Sequence, residues 1–330
     1  MTSLSLSIKN IINIIDPDSL QLSNIKNVEH INLSFNENLN KIYKEIDKYG
    51  DIWIKYKDKY NPYVYIYSDK FNLSLNNSFY EFIELINSFN LTFKENILTA
   101  VSYIGSDVGI VEAIYFTNIN YKNIFFIDCN TIYNKKMDIV IMMDNISSNN
   151  LTLFENIIKV IKIQQFGGKF IFKIDDICNM FHVEILFFLR YFYRDINIFK
   201  PTLSKQYTSN KYVICDNFIY CDNIHSIIDK CEYIYSRWKK INITNIFIEN
   251  TVPLLFINKI KSINLMFGQT QIEYIDNTLN HICSDIYIKN NIIINNDNIK
   301  NNDDDNNDIK NKKYTMKCIK WCKKNNIPID

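Results

Sequence analysis

Arginine is nearly missing from this 330-residue chain, which carries only Arg190, Arg194 and Arg237. Bidentate guanidinium clamps on phosphate are therefore scarce, and lysine must act as a point charge wherever an anion is bound. A surplus of either charge is missing too. The 37 basic and 36 acidic side chains leave a net charge of +1, which excludes the global basic field of an obligate nucleic-acid binder and confines any RNA site to a local lysine patch. The eight cysteines form no paired CxxC sets of zinc spacing, and the four histidines are dispersed, so no metal site is legible. No apolar run approaches a membrane span, and MTSLSLSIKN opens without an apolar leader core. The expectation is a protein of a reducing, cytoplasmic compartment.

Apolar residues make up 47% of the chain and aromatics 14%, enough to bury a sizeable core. The bias to Asn, Ile, Lys and Tyr weakens propensity arguments, so periodicity carries the reading. Residues 76–90 (NNSFYEFIELINSFN) are helix-periodic, with Phe79, Phe82, Ile83 and Ile86 on one face. Alternating elements follow: strands over 99–106, 123–128, 138–144, 167–174, 196–201 and 211–218, and helices over 109–118, 151–166 and 178–193. Such alternation predicts βαβ units and an α/β, Rossmann-like, mostly parallel sheet with helices on both faces. The last two strands are too close in sequence for a crossover, so an antiparallel edge pair is expected there. The expected organisation is an N-terminal extension over 1–75, a central domain over 76–222, a helical extension over 223–288, a disordered low-complexity insert over 289–313 and a terminal helix over 314–330. Within the extension, helices are expected near 223–240 and 250–264, then a loose segment.

Only six glycines occur, and four of them fall at strand boundaries. Gly105 and Gly109 flank a strand-to-helix turn (IGSDVG), which is either a cofactor approach or an ordinary tight turn. Gly167 and Gly168 open GGKFIFK, where a positive φ is tolerated. Cys318 and Cys322, four apart on the terminal helix, read as packed small apolar residues. His182 and His225 read as core or surface residues.

The run GGKFIFKI, then FFLRYFY, INIFKP and TLSKQYTSNKYVIC, resembles the closing half of the FtsJ-type RNA ribose 2′-O-methyltransferases. YIGSDVG stands where that family has its cofactor loop, and NSFYEFIEL where it has a helix bearing the first catalytic lysine. NPYVYI and WCKKNNIPID resemble the FtsJ-like proteins of large cytoplasmic DNA viruses. The resemblance implies a Rossmann-like S-adenosylmethionine-dependent fold and a Lys-Asp-Lys-Glu tetrad that readies a ribose hydroxyl for attack on a sulfonium methyl. In this chain the first lysine falls on Glu81, the aspartate on or beside Asp144, the central lysine on Lys173 and the glutamate on Asn210. Gly105, Ser106, Asp107 and Gly109 fall in the cofactor loop, where Asp107 would oppose the cofactor carboxylate. Asp128 would reach ribose hydroxyls, or would cap a helix.

Two functions follow from the resemblance. One is an S-adenosylmethionine-dependent RNA 2′-O-methyltransferase acting on capped mRNA, impaired or inactive because two tetrad positions are changed. The other is a non-catalytic stimulatory or scaffold subunit of an mRNA capping or RNA-processing complex. RNA would be met at the rim by Lys200, Lys205 and Lys211. Lys55, Lys57 and Lys59 lie in a tyrosine-rich stretch that reads either as a stacking surface or as a charged loop over a tyrosine core.

Overall fold

The computed structural model describes residues 4–7, 20–23, 31–59, 61, 63, 66, 76–93, 97–102, 108–117, 123–127, 135–142, 150–175, 177–219, 223–238, 245–247, 251–294 and 303–328. In chain order the elements are β1 (Leu4–Ser7), β2 (Leu20–Ser23), α1 (Leu33–Asp47), α2 (Gly50–Tyr56), α3 (Asn77–Ser88), β3 (Thr99–Ser102), α4 (Val108–Thr117), β4 (Ile124–Ile127) and β5 (Met137–Met142). They continue with α5 (Asn150–Ile163), β6 (Gln164–Ile174), α6 (Met180–Phe192), β7 (Tyr193–Lys200), β8 (Lys211–Phe218), α7 (Ile224–Trp238), β9 (Asn245–Phe247), α8 (Leu254–Ile294) and α9 (Asp303–Lys324).

Seven strands form one sheet in the order β1-β7-β8-β6-β5-β3-β4. β4, β3, β5 and β6 run parallel, while β8 is antiparallel to both β6 and β7. Helices cover both faces, so the fold is Rossmann-like α/β. On one face α5, α6 and α7 pack over Val140, Phe170, Phe172 and Val213. On the other, α3, α4 and α9 pack over Ile139, Ile141, Ile171 and Ile214. Alternate residues of β6 thus feed two cores, the signature of a sheet buried on both faces. The antiparallel pairing of β7 and β8 agrees with the sequence. However, β8 inserts between β6 and β7, and β1 pairs with β7, so the pair does not form the edge. β1 also places part of the N-terminal extension inside the main sheet.

The glycine pair marks an irregularity in the β5–β6 ladder. Met137 pairs with Gln164 and Ile139 with Lys169, so the extra residues between them bulge. Gly167 takes φ +75°, and a Cβ on Gly168 would lie 2.7 Å from the Asp138 carbonyl oxygen. Gln164 closes the bulge by donating to the Met137 carbonyl at 2.9 Å and accepting from the Tyr193 hydroxyl at 2.9 Å.

Two helices are buried on more than one face. In α3 every residue from Ser78 to Ile86 is buried, not the single face the periodicity predicts, because α9 covers the side turned away from the sheet. There Tyr80 meets Trp321 edge-on at 6.0 Å, and Cys318 and Cys322 are buried thiols in the same cluster. In α6, Glu184 is buried and accepts from Asn245 Nδ2 at 3.1 Å and from the Ile246 amide at 2.7 Å. That carboxylate fixes β9, and with it the small antiparallel β2–β9 sheet, to the domain.

The C-terminal expectations need correction. α8 is one helix of 41 residues that takes in the segment expected to be loose. Trp53, Ile275 and Ile282 bury together along it, and this packing overrides its many polar residues. The expected disordered insert is helical over 289–294 and 303–313, and its centre lies outside the described residues. Among the described residues no helix is long and apolar enough to cross a membrane.

Candidate functional site

Ligands of open α/β sheets bind beyond the carboxyl ends of the strands, where the strand order reverses. Here the order reverses at β3, which has β4 on one side and β5 on the other. α4 starts at that end of the sheet and presents its N-terminus there. The topology therefore fits a nucleoside-bearing cofactor. Gly105, Ser106 and Asp107 after β3, Asp128 after β4 and Asp144 after β5 lie outside the described residues. Gly109 is described, and its duty is packing: a Cβ there would fall 1.8 Å from Asn76 Oδ1 and 2.7 Å from the Phe79 amide. Asn76 caps α3 through its bond from that amide at 3.1 Å, so the glycine lets α4 close on the start of α3.

Lys173 is the penultimate residue of β6, half-buried and on the same face as Ile171. It pairs in register with Tyr212 of β8, and its ammonium lies 5.9 Å from the Tyr212 ring centroid. Tyr212 is 1% exposed. Its hydroxyl donates to Glu81 Oε2 of α3 at 2.7 Å. Glu81 is itself buried, so three elements distant in sequence converge at one end of the sheet. The Glu81 carboxylate is therefore held by a tyrosine whose ring lies beside Lys173. Among the described residues Lys173 forms no ion pair. Asn210 immediately precedes β8 at this same end, because β8 starts opposite the last residue of β6. Sequence reasoning missed Tyr212. Its signal was the strand alternation that puts it on the Ile214 face together with Lys173's neighbours.

The expected RNA lysines divide. Lys205 is exposed at the rim. Lys200 and Lys211 are buried, so the expectation that all three face RNA is corrected. Lys200 Nζ donates to the Thr208 carbonyl. Lys211 Nζ donates to the carbonyls of Asp175 at 3.2 Å and Ser209 at 2.5 Å. Both ammonium groups brace the turn between β7 and β8, since a buried cation needs such acceptors. Lys57 lies 5.4 Å from the Tyr207 ring centroid and Lys59 lies 4.6 Å from that of Tyr56, which favours the charged loop over a tyrosine core. His182 is buried in α6. The cap of α6 is Asn179, which accepts from the His182 amide at 3.0 Å.

A second carboxylate on α3 was also missed. Glu84 is 1% exposed. It accepts from the Thr202 amide at 2.9 Å, the Thr202 hydroxyl at 2.7 Å and the Trp321 indole N–H at 3.1 Å. Burial pushes its carboxyl above the ordinary range, against the pull of those donors. One residue thus ties α3, the turn after β7 and α9 together.

No family model matches the sequence, and no curated protein matches it. Several solved structures are similar in part, among them three methyltransferases. An rRNA methylase from Streptococcus thermophilus is 12% identical, over 42% of this chain and 94% of that one, with a TM-score of 0.27. Phosphoethanolamine N-methyltransferase 1 of Haemonchus contortus, in complex with phosphoethanolamine and S-adenosylhomocysteine, is 11% identical over 59% of this chain, with a TM-score of 0.31. This chain spans about half of that protein, 54% of its length. An S-adenosylmethionine-dependent methyltransferase from Clostridium acetobutylicum is 14% identical, over 52% of this chain and 87% of that one, with a TM-score of 0.21. At these scores the fold assignment rests on the sheet order, not on the likenesses.

Proposed function

We propose that this chain is an S-adenosylmethionine-binding relative of the RNA ribose 2′-O-methyltransferases, with the fold kept and the acceptor chemistry impaired. The observation that carries the reading is the Glu81–Tyr212–Lys173 constellation at the carboxyl end of β6. The lysine stands where the family resemblance puts its central lysine, and a carboxylate stands where the resemblance puts the first.

The cofactor would supply a methyl group made electrophilic by its sulfonium. The protein's part is to hold the cofactor at the β3 crevice and the acceptor hydroxyl near Lys173. A lysine prepares a hydroxyl when neighbouring charge and burial tune it and carboxylates orient it. Here Glu81 is bonded to Tyr212 and Asn210 carries no charge, so two of the groups that would orient Lys173 are changed. Loss of one group of a catalytic unit commonly costs about a hundredfold or more in rate.

A second reading, the non-catalytic subunit of an mRNA capping or RNA-processing complex, has one observation in its favour. Leu254 and Leu255, adjacent at the start of α8, are 76% and 73% exposed, and exposed apolar pairs of this kind suit a protein contact.

Calorimetric titration with S-adenosylhomocysteine, followed by a methyl-transfer assay on capped RNA, tests the proposal. Saturable cofactor binding with weak or undetectable transfer is the expected result. No binding would overturn the cofactor reading, and turnover typical of a competent enzyme would overturn the impairment.

A further inference from the structure

A cavity of about 270 Å³ lies away from the β3 crevice, between the turn after β7 and the helices α8 and α9. Its volume is just under the range of roughly 300–1,000 Å³ usual for small-molecule sites, so it suits one planar ring with a small substituent. The turn contributes Gln206, α8 contributes Tyr274 and His281 on one face about two turns apart, α9 contributes Tyr314 and Lys317, and Tyr63 also lines it.

The walls are held in place. Tyr274 is 8% exposed, and its hydroxyl donates to the Lys57 carbonyl at 2.7 Å. Behind it Tyr207 and Trp53 continue a ladder of rings, with centroids 6.4 Å and 6.1 Å apart. Gln206 Nε2 donates to the carbonyls of Thr202 and Ser204 at 3.2 and 3.0 Å. Thr202, also in the lining, is bonded to Glu84, which holds Trp321 one turn beyond Lys317. The cavity is therefore built by the contacts that dock α9 on the domain.

Its charge is local. From Lys312 to Lys324 the chain carries six lysines and no carboxylate, although the whole protein is nearly neutral. Lys317 lines the cavity and forms no ion pair among the described residues. Asp58 is the carboxylate felt at Tyr274. Asp285 is taken up by Lys59 at 3.7 Å and the Tyr56 hydroxyl at 2.7 Å. Tyrosine rings in the lining supply stacking faces, the Gln206 side-chain carbonyl and the His281 imidazole suit the edge of a base, and Lys317 suits a phosphate.

The geometry points to a nucleotide subsite: one base of a single-stranded RNA enters between α8 and α9, with its phosphate at Lys317. The inference rests on the function proposed above for the source of that nucleotide, an RNA chain. The cavity lies at the carboxyl end of β7, on the same side of the sheet as Lys173. On α3, Glu84, which holds the cavity residue Thr202, and Glu81, which bonds the tyrosine beside Lys173, are one turn apart, about 5 Å along the axis. A nucleotide held there would set the register of RNA crossing the rim past exposed Lys205, a role distinct from the chemistry at Lys173.

The test uses the full chain and a short fluorescein-labelled oligouridylate read by anisotropy, with the nucleoside 5′-monophosphates and inorganic phosphate as competitors. Expected is saturable RNA binding that a mononucleotide displaces and phosphate does not. Lys317→Glu and Tyr314→Ala should each weaken it about tenfold, as the loss of one charge-assisted or stacking contact does, with S-adenosylhomocysteine binding unchanged. Photo-crosslinking of 4-thiouridine RNA to the unaltered protein gives a readout that needs no variant, and the crosslinked peptides should carry Tyr274 or Tyr314. RNA binding insensitive to both substitutions, displacement by phosphate alone, binding of mononucleotides but not of RNA, or crosslinks confined to other surfaces would each overturn the inference. Failure of cofactor binding while RNA still enters this cavity would instead sink the proposed function and leave the subsite standing.

Discussion

Glu84→Gln separates the cost of burying a charge from the value of the bonds it makes. All three bonds to Glu84 are donated to it: Oε2 takes the Thr202 amide and the Trp321 indole, and Oε1 takes the Thr202 hydroxyl. A glutamine can keep its carbonyl oxygen toward the first two while its amide donates to the hydroxyl, which rotates to accept. The bonds survive and the desolvated charge is gone. Burial is the larger influence on this carboxyl and raises it from its ordinary value of 4.5, while the Thr202 and Trp321 donors and the charge of Lys324 lower it less. The folded protein therefore binds the proton more tightly than the unfolded chain. Stability contributed at this site is fullest at low pH, falls as pH rises from 4.5 through the raised value and is flat above it. The slope cannot exceed about 1.4 kcal/mol per pH unit, the limit for one proton. At neutral pH Glu84→Gln should be neutral or stabilising by about 1 kcal/mol, an advantage that shrinks on acidification. Glu84→Ala should cost about 3–5 kcal/mol, because it strands a buried amide and a buried indole N–H at about 1–3 kcal/mol each and leaves a cavity. Urea unfolding at several pH values, followed by circular dichroism and by tryptophan emission, measures both. If glutamine costs as much as alanine, or its difference from the native protein does not change with pH, the account of this node is wrong.

Tyr212→Phe removes a buried donor from a buried carboxylate, and should lower stability by about 1–3 kcal/mol in thermal unfolding; an unchanged midpoint would mean that Glu81 is satisfied elsewhere. Gly168→Ala should cost more than Gly167→Ala. The first drives a Cβ to 2.7 Å from the Asp138 carbonyl and 2.8 Å from that of Gln165, whereas the second meets nothing within 4 Å and suffers only from its φ of +75°, worth about 1–2 kcal/mol. The reverse order in urea midpoints would refute the reading of the bulge. Thiol titration under native conditions should label exposed Cys283 ahead of the buried thiols Cys215, Cys231, Cys318 and Cys322. Burial also pushes Cys215 and Cys231 far up, and Cys322 up to about 11, so these react only on unfolding. Labelling of Cys215 as fast as Cys283 in the native protein would contradict its place between β6 and β7.

The sheet was largely legible because its strands are short apolar runs separated by amphipathic helices, a pattern that the bias toward Asn and Ile does not erase. The glycine pair was legible because glycine is rare here. The buried carboxylates were not, because their partners are far away in sequence. Glu84 meets Thr202 across 118 residues and Trp321 across 237, and Glu184 meets Ile246 across 62. A single acid in an apolar helix gives no local sign of such a donor. The length of α8 was hidden for a related reason: what holds it is packing against Trp53 and Tyr207, contacts that no window of its own sequence contains. At the site, the position of Lys173 at the end of its strand was readable from the spacing of GGKFIFKI, while Tyr212 passed as an ordinary strand aromatic.

Under the function proposed above, Glu81 describes a site rebuilt rather than eroded. A buried carboxylate left by simple loss would lie without donors and would be costly; this one is bonded by Tyr212, whose ring also faces the Lys173 ammonium. A lysine at position 81 would put a second ammonium against the tyrosine beside Lys173 and remove the carboxylate that Tyr212 now bonds. Glu81→Lys alone should therefore destabilise the protein by about 2–4 kcal/mol, as an unpaired buried charge does. Asn210→Glu alone, at the half-buried position just before β8, should cost less than about 1 kcal/mol. The double variant should recover part of the first loss, because the new carboxylate enters at the same end of the sheet. A double-mutant cycle by urea unfolding reads that recovery as a coupling of about 1 kcal/mol or more. Strict additivity would show that positions 81 and 210 do not share one electrostatic site, and the tetrad invoked in the proposed function would fall with it.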